Sequence, residues 1–268
     1  MFRSACLSAL LALAACVRAA ENGPPPLDEE QIRGAEFLGS LSIPNPGELF
    51  AALGKTGKPD WAAFFHRQQP APHTSRPLIA LNLGVRIADG FLASEAQDRQ
   101  QVKNVSMEIK LLAKSLGLEQ EIMMRSNSIA DFADSRQWDA LDEELEAVQS
   151  ELAAAMSGRR DDALATLMSL GCWLRSVEIA SAHIAANYTG EGAGILRQPA
   201  VGDFFASRLD ALPEKIKTLP AVAEIQRRLP ALAATLSLPS ETAPSGEAVT
   251  EMHTLIAGMM NLIAAPEK

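Results

Sequence analysis

The stretch Asp161-Asp-Ala-Leu-Ala-Thr-Leu-Met-Ser-Leu-Gly171-Cys172-Trp-Leu-Arg175-Ser-Val-Glu178-Ile-Ala-Ser-Ala-His183-Ile-Ala-Ala-Asn187 decides the fold class. It contains no proline and carries apolar residues on nearly every side of a 3.6-residue repeat. A helix that is apolar all round belongs inside a bundle, not on its surface. Two charged residues, Arg175 and Glu178, nevertheless sit in mid-span. A second helix of the same character is expected over about 78–96, where Asn82, Arg86 and Asp89 fall at i, i+4 and i+7 as one narrow polar stripe.

Working outward, almost every segment repeats at the helical period and none alternates as a strand would. A weak helix is expected from Leu27 to Leu41. Pro46 opens a short one to Leu53, with proline in its first turn, and Asp60 can cap an aromatic turn from Trp61 to His66. Arg99 to Leu116 presents Val102, Val105, Ile109 and Leu112 inward, with Gly117-Leu118 as a left-handed stop and Lys110 and Lys114 at the negative end. Glu119 to Ala133 follows, with Ile122, Ile129 and Phe132 inward. Trp138, Leu141, Leu145, Val148, Leu152 and Met156 form the cleanest stripe, opposite a solvated acidic face of Asp142, Glu143, Glu146 and Glu151. Residues 187–199 read as a loop with three glycines. Beyond Val201 to Leu212, prolines 213, 220 and 230 divide the chain into short helices. A linker, 239–246, precedes a last amphipathic helix, 247–264. The expected class is all-α: an irregular bundle of about nine to eleven helices around the two central apolar ones.

The N-terminus reads as a targeting segment. Arg3 supplies a short positive region, and the apolar run that follows is too short to span a bilayer. Leu13-Ala14-Ala15-Cys16 resembles the bacterial lipobox, in which the cysteine becomes lipidated, so residues 1–15 would be removed. Val17-Arg18-Ala19 offers an ordinary secretory cleavage site instead. Residues 16–27, with Pro24-Pro25-Pro26, read as a stiff tether, and 28–268 as a single all-helical domain. The expected location is the periplasmic side of a bacterial membrane, the outer one favoured, held by a lipid anchor on Cys16, or else the soluble periplasm. Beyond the signal, no uninterrupted apolar run reaches the length of a membrane helix.

At 268 residues the chain can bury roughly 70–75% of its unfolded surface without staples. The net charge of -9, the absence of a basic stripe and a single tyrosine argue against nucleic-acid binding. With Cys6 in the signal and Cys16 the lipid candidate, Cys172 has no partner for an intrachain disulfide. The histidines at 66, 73, 183 and 253 lack the three- or four-residue spacing of metal pairs, so neither metal nor cofactor is expected. There is no Gly-x-Ser-x-Gly elbow, no Ser-x-x-Lys and no phosphate-cradling loop. Cys172, amid apolar neighbours, reads as core.

The remaining constellation is Arg86, Asp89, Arg175 and Glu178. On each helix the i, i+3 spacing puts acid and base on one side, and the two helices can face each other. The four read either as a buried ion network that sets helix register or as the lining of a core site for a small anion. Leu83-Gly84 and Leu170-Gly171 precede the two arginines and hint at a repeat. Glycines 84, 90 and 171 are expected where helices approach closely. Met123, Met124, Met259 and Met260 are candidate core fillers, or the lining of an apolar-ligand carrier. An exported helical binding or scaffold module, with an envelope protein as its candidate partner, is the expected function, and an enzyme or small-ligand binding protein with a site in the bundle core is the alternative.

Overall fold

The computed structural model describes residues 43, 45–65, 73–198, 200–237 and 243–267. The signal, the tether, the expected helix 27–41, His66 and residues 239–242 of the linker lie outside them. Among the described residues the chain forms α1 (Pro46–Thr56), a 3-10 turn (Trp61–Phe64), α2 (Arg76–Glu95), α3 (Arg99–Ser115), α4 (Glu119–Ser135), α5 (Trp138–Gly158), α6 (Asp162–Ala186), α7 (Gly190–Ile195), α8 (Val201–Asp210), α9 (Glu214–Lys217), α10 (Pro220–Leu236) and α11 (Gly246–Ala264), with no strand. Ile43 to Lys268 is one compact unit. The all-α bundle follows from the sequence pattern, and its two most buried helices are α2 and α6.

These two helices make the most extensive contact in the molecule. Two glycines explain it. A methyl group on Gly84 would overlap the Met168 carbonyl oxygen and stand 2.7 Å from the Cys172 nitrogen, and one on Gly171 would overlap the Leu81 carbonyl oxygen. Each Leu-Gly pair therefore fits against the other helix's backbone, and α2 and α6 cross closer than side chains permit. Gly90 does the same more gently, since its missing methyl would lie 2.9 Å from Leu145 Cδ2 of α5.

Around this pair, α5 and α1 each touch both central helices, α11 lies chiefly on α6, and α3 lies on α2. Helix α4 bridges α3 and α5, while α8 packs on α10 and α10 on α11. By length and composition α2 and α6 could each cross a membrane, yet 94% and 72% of their apolar windows are buried inside the fold. Asn82 ties α2 to α11, donating to the Leu78 carbonyl at 2.9 Å and the Ile263 carbonyl at 3.1 Å. Just beyond α11, Glu267 accepts from the Thr74 and Ser75 backbone N–H groups at the start of α2.

Several local expectations are corrected. Residues 187–199 are not all loop: α7 forms because the Thr189 side chain accepts from the Gly192 N–H and Ala193 is fully buried. Pro230 does not divide the chain. It lies inside α10 on the exposed side, while Ile225, Leu229, Leu232 and Leu236 continue one buried stripe past it. Water can satisfy the carbonyl that proline leaves unpaired on that side. The turn after Asp60 is a 3-10 helix without a side-chain cap, whereas α1 has a full capping box between Asn45 and Glu48. Phe132 is only half-buried, and Ala133 takes the core position beside it.

Candidate functional site

Arg86, Asp89, Arg175 and Glu178 meet across the α2–α6 contact. Asp89 stands between the arginines: its Oδ2 accepts from Arg86 Nη1 at 2.6 Å and its Oδ1 from Arg175 Nε at 2.8 Å. Arg175 Nη1 donates to Glu178 Oε2 at 2.7 Å, and its Nη2 donates to the Phe64 carbonyl at 2.6 Å. A fifth member comes from α3. Glu108 Oε2 lies 3.0 Å from Arg86 Nε, an ion pair whose N–H is not aligned well enough for a hydrogen bond. Arg86, Asp89 and Arg175 are all buried, and Glu178 and Glu108 stand at the edges.

Burial opposes the Arg175 charge, but the Asp89 and Glu178 carboxylates outweigh it and hold its pKa above the ordinary value. Three of its donor groups already have protein acceptors. An incoming anion would have to share the guanidinium with Asp89, Glu178 and the Phe64 carbonyl. The arrangement thus bonds α2 to α6 through Asp89 and Arg175, and α6 to the turn after α1 through Arg175 and the Phe64 carbonyl.

The other chemistry-bearing residues are similarly engaged. Cys172 is buried beside Gln149, and burial, aided by Asp89, pushes its thiol well above the usual range. That is the reverse of an activated nucleophile. His183 packs against the edge of Phe64, and burial lowers its pKa. The Ser181 hydroxyl lies 3.3 Å from His253 Nδ1, a pairing of α6 with α11 that sequence spacing could not show, but Ser181 is fully buried and closed to substrate. Trp173 Nε1 donates to Gln198 Oε1 at 2.7 Å, anchoring the segment before α8. Among the described residues no three His, Cys, Asp or Glu side chains are placed to hold a metal ion.

Two further features were not expected. The acidic face of α5 is not uniformly solvated. Asp142 is half-buried against α2, where burial, reinforced by Asp139 and Glu146, pushes its pKa up to about 6, with partial relief from the Ser94 hydroxyl. Neither Ser94 Oγ nor Asp142 Oδ1 makes a well-aligned hydrogen bond, and Glu95 beside them is also raised, first by burial and then by Asp142.

The second feature is on the surface. Met259 and Met260 fill the core, but Met123 and Met124 do not: they are 51% and 73% exposed. With Met107 at 72% and Leu111 at 66%, they put on α3 and α4 four of the five large hydrophobic side chains that face water among the described residues, Tyr188 being the fifth. A polar groove of about 550 Å³, lined by Asp98, Arg99, Lys103, Asp134 and Arg136 among others, closes one end of the same hairpin.

No family model, curated protein or solved structure matches this chain. Its function therefore has to be read from its own residues.

Proposed function

We propose that the chain is an exported, lipid-anchored helical interaction module of a bacterial envelope. The lipobox at Cys16 and the proline-rich tether support the anchor, because a single acyl-bearing cysteine followed by a stiff spacer would hold a folded body clear of the membrane. The observation that carries the interaction reading is the exposed quartet Met107, Leu111, Met123 and Met124 on one helical hairpin. Single exposed apolar residues are ordinary, whereas four large ones on two packed helices point to a contact surface. Methionine suits such a surface, since its flexible thioether adapts to a partner's shape. The occupant that fits is the apolar face of a protein helix pair. The buried network serves this role indirectly, by keeping the scaffold under the hairpin rigid.

Two measurements test the proposal. Radiolabelled palmitate should enter the chain in cells and fail to enter Cys16→Ser; an unlabelled chain beginning at Ala20 would replace the anchor with simple secretion. A photocrosslinking residue at position 111 should form discrete protein adducts in cells, and one at exposed Ser150 should not. Crosslinking at 111 to lipid alone, or to nothing, would remove the interaction reading.

A further inference from the structure

The charge layout of the α3–α4 hairpin indicates what covers it. Helix α3 carries Arg99, Lys103, Lys110 and Lys114 against the single carboxylate of Glu108, and α4 carries Glu119, Glu121, Asp131 and Asp134 against the single cation of Arg125. Both minority charges are taken up by neighbouring helices. Glu108 pairs with Arg86 of α2, and Arg125 pairs with Glu144 and Glu151 of α5. Of the majority charges Glu121 is taken up by Arg159, and the rest leave the solvent side of α3 basic and that of α4 acidic, on the same two helices that carry the apolar quartet.

We infer that this face binds a second copy of the chain, as an isologous dimer in which α3 of each copy lies over α4 of the other. The inference rests on the interaction reading above and names its partner. A surface that is basic along one helix and acidic along its neighbour is complementary to itself under a two-fold axis running along the hairpin. The alternative axis, across the hairpin, would set α3 on α3 and oppose like charges. The register follows from pairs within one copy. Lys103, 14 residues before Gly117, bonds Asp134, 17 after it, at 2.7 Å, and Lys114, 3 before, bonds Glu119, 2 after, at 3.1 Å, so residues roughly equidistant from Gly117 stand within about one helical turn of the same height. Across the axis, Leu111 then meets Met123 of the second copy, Lys103 meets Asp131, and the Lys110 stem covers Met124. Each contact occurs twice.

Size sets the strength. Two 17-residue helices are each about 25 Å long, and at ordinary separation their joint face covers roughly 500 Å². Stable interfaces bury about 800 Å² per partner. The dimer is accordingly weak and reversible in dilute solution, in the micromolar range. Confinement by an anchor would raise its effective concentration and favour it at the membrane.

The test is sedimentation velocity of the full chain carrying Cys16→Ser, from about 1 to about 200 μM, where a monomer–dimer equilibrium is expected. Leu111→Glu should shift association at least tenfold towards monomer while leaving the helical circular dichroism unchanged. Lys103→Glu and Asp131→Lys should each weaken self-association, and mixing the two variants should restore a dimer, because both cross-axis pairs are then opposite in sign. A chain that stays monomeric throughout overturns the inference. So does a dimer indifferent to Leu111→Glu, or a mixture of variants that does not re-associate. Discrete adducts at position 111 with a mass other than twice the chain's would also overturn it, while leaving the interaction reading intact. Flotation with vesicles of anionic phospholipid, lost in Leu111→Glu while the protein remains monomeric, would assign the face to a lipid surface and overturn both.

Discussion

At the scale of single residues, Arg175 concentrates the most consequence in the fewest atoms. Its guanidinium is buried and bonded to Asp89, Glu178 and the Phe64 carbonyl. Replacing it with methionine keeps the side-chain bulk but leaves Asp89 with one cation fewer in a site that water cannot reach freely. Removing one partner of a buried ion pair costs about 3–5 kcal/mol, and urea unfolding of Arg175→Met should show a loss of that order. A change below about 1 kcal/mol would mean that the network contributes no register at all. Asp142 gives the opposite case, a charge the fold resists. Its pKa lies near 6 in the folded state against an ordinary value of 3.8, so the native protein binds the extra proton between about pH 4 and pH 6. Stability therefore falls as pH rises through that window, and the whole penalty is present above it. The shift corresponds to at most about 3 kcal/mol, and less because the side chain is partly solvated. Asp142→Asn should flatten the curve of Tm against pH between about 4 and 6 and raise Tm at neutral pH. An unchanged slope would show that the carboxyl is hydrated in the fold.

At the scale of helices, glycine does two different jobs. Gly84 and Gly171 are places where one helix rests on another's backbone, and neither backbone can yield as a side chain can. Gly84→Ala should separate α2 from α6 and cost more than the usual overpacking range, upwards of about 3 kcal/mol, or prevent folding. Gly54, inside α1, has nothing within 4 Å of the position a methyl would take. Gly54→Ala should stabilise the protein by roughly 0.5–1 kcal/mol through helix propensity alone. Thermal unfolding of the pair checks both signs, and similar effects at the two sites would refute the close-approach reading. These helices were legible from sequence because period, caps and stops agree. Helix α7 was not, since three glycines in a row of positions argue for a loop until Thr189 and the buried Ala193 are seen to hold them. Pro230 misled for a related reason: sequence shows the broken hydrogen bond, but only packing shows that it falls on the wet side of α10.

At the scale of the whole molecule, the bundle separates its charges into an interior set and a surface set. The interior set bonds the two core helices to each other, and the surface set leaves a basic helix beside an acidic one. Arg86, Asp89, Arg175 and Glu178 could be picked out beforehand because their spacing puts each pair on one helix face within an apolar run. Glu108 and the Phe64 carbonyl could not, because they arrive from other elements and nothing local marks them. The methionines divide in the same way. Met123 and Met124 look like Met259 and Met260 in sequence, yet one pair faces water and the other fills the core.

Taken alone, the sequence determined the helical class, the centrality of the stretch from Asp161 to Asn187, and the placing of an arginine and a carboxylate on one face of each central helix. Those are matters of period and spacing, which a chain carries with it. Which helix lies against which, where Gly84 and Gly171 meet, how Asp89 comes to serve two arginines and why Met107, Leu111, Met123 and Met124 share a surface were decided only in the tertiary structure. Contacts between residues distant in the chain depend on how close two backbones can come, and at the central crossing that distance is set by the absence of two side chains.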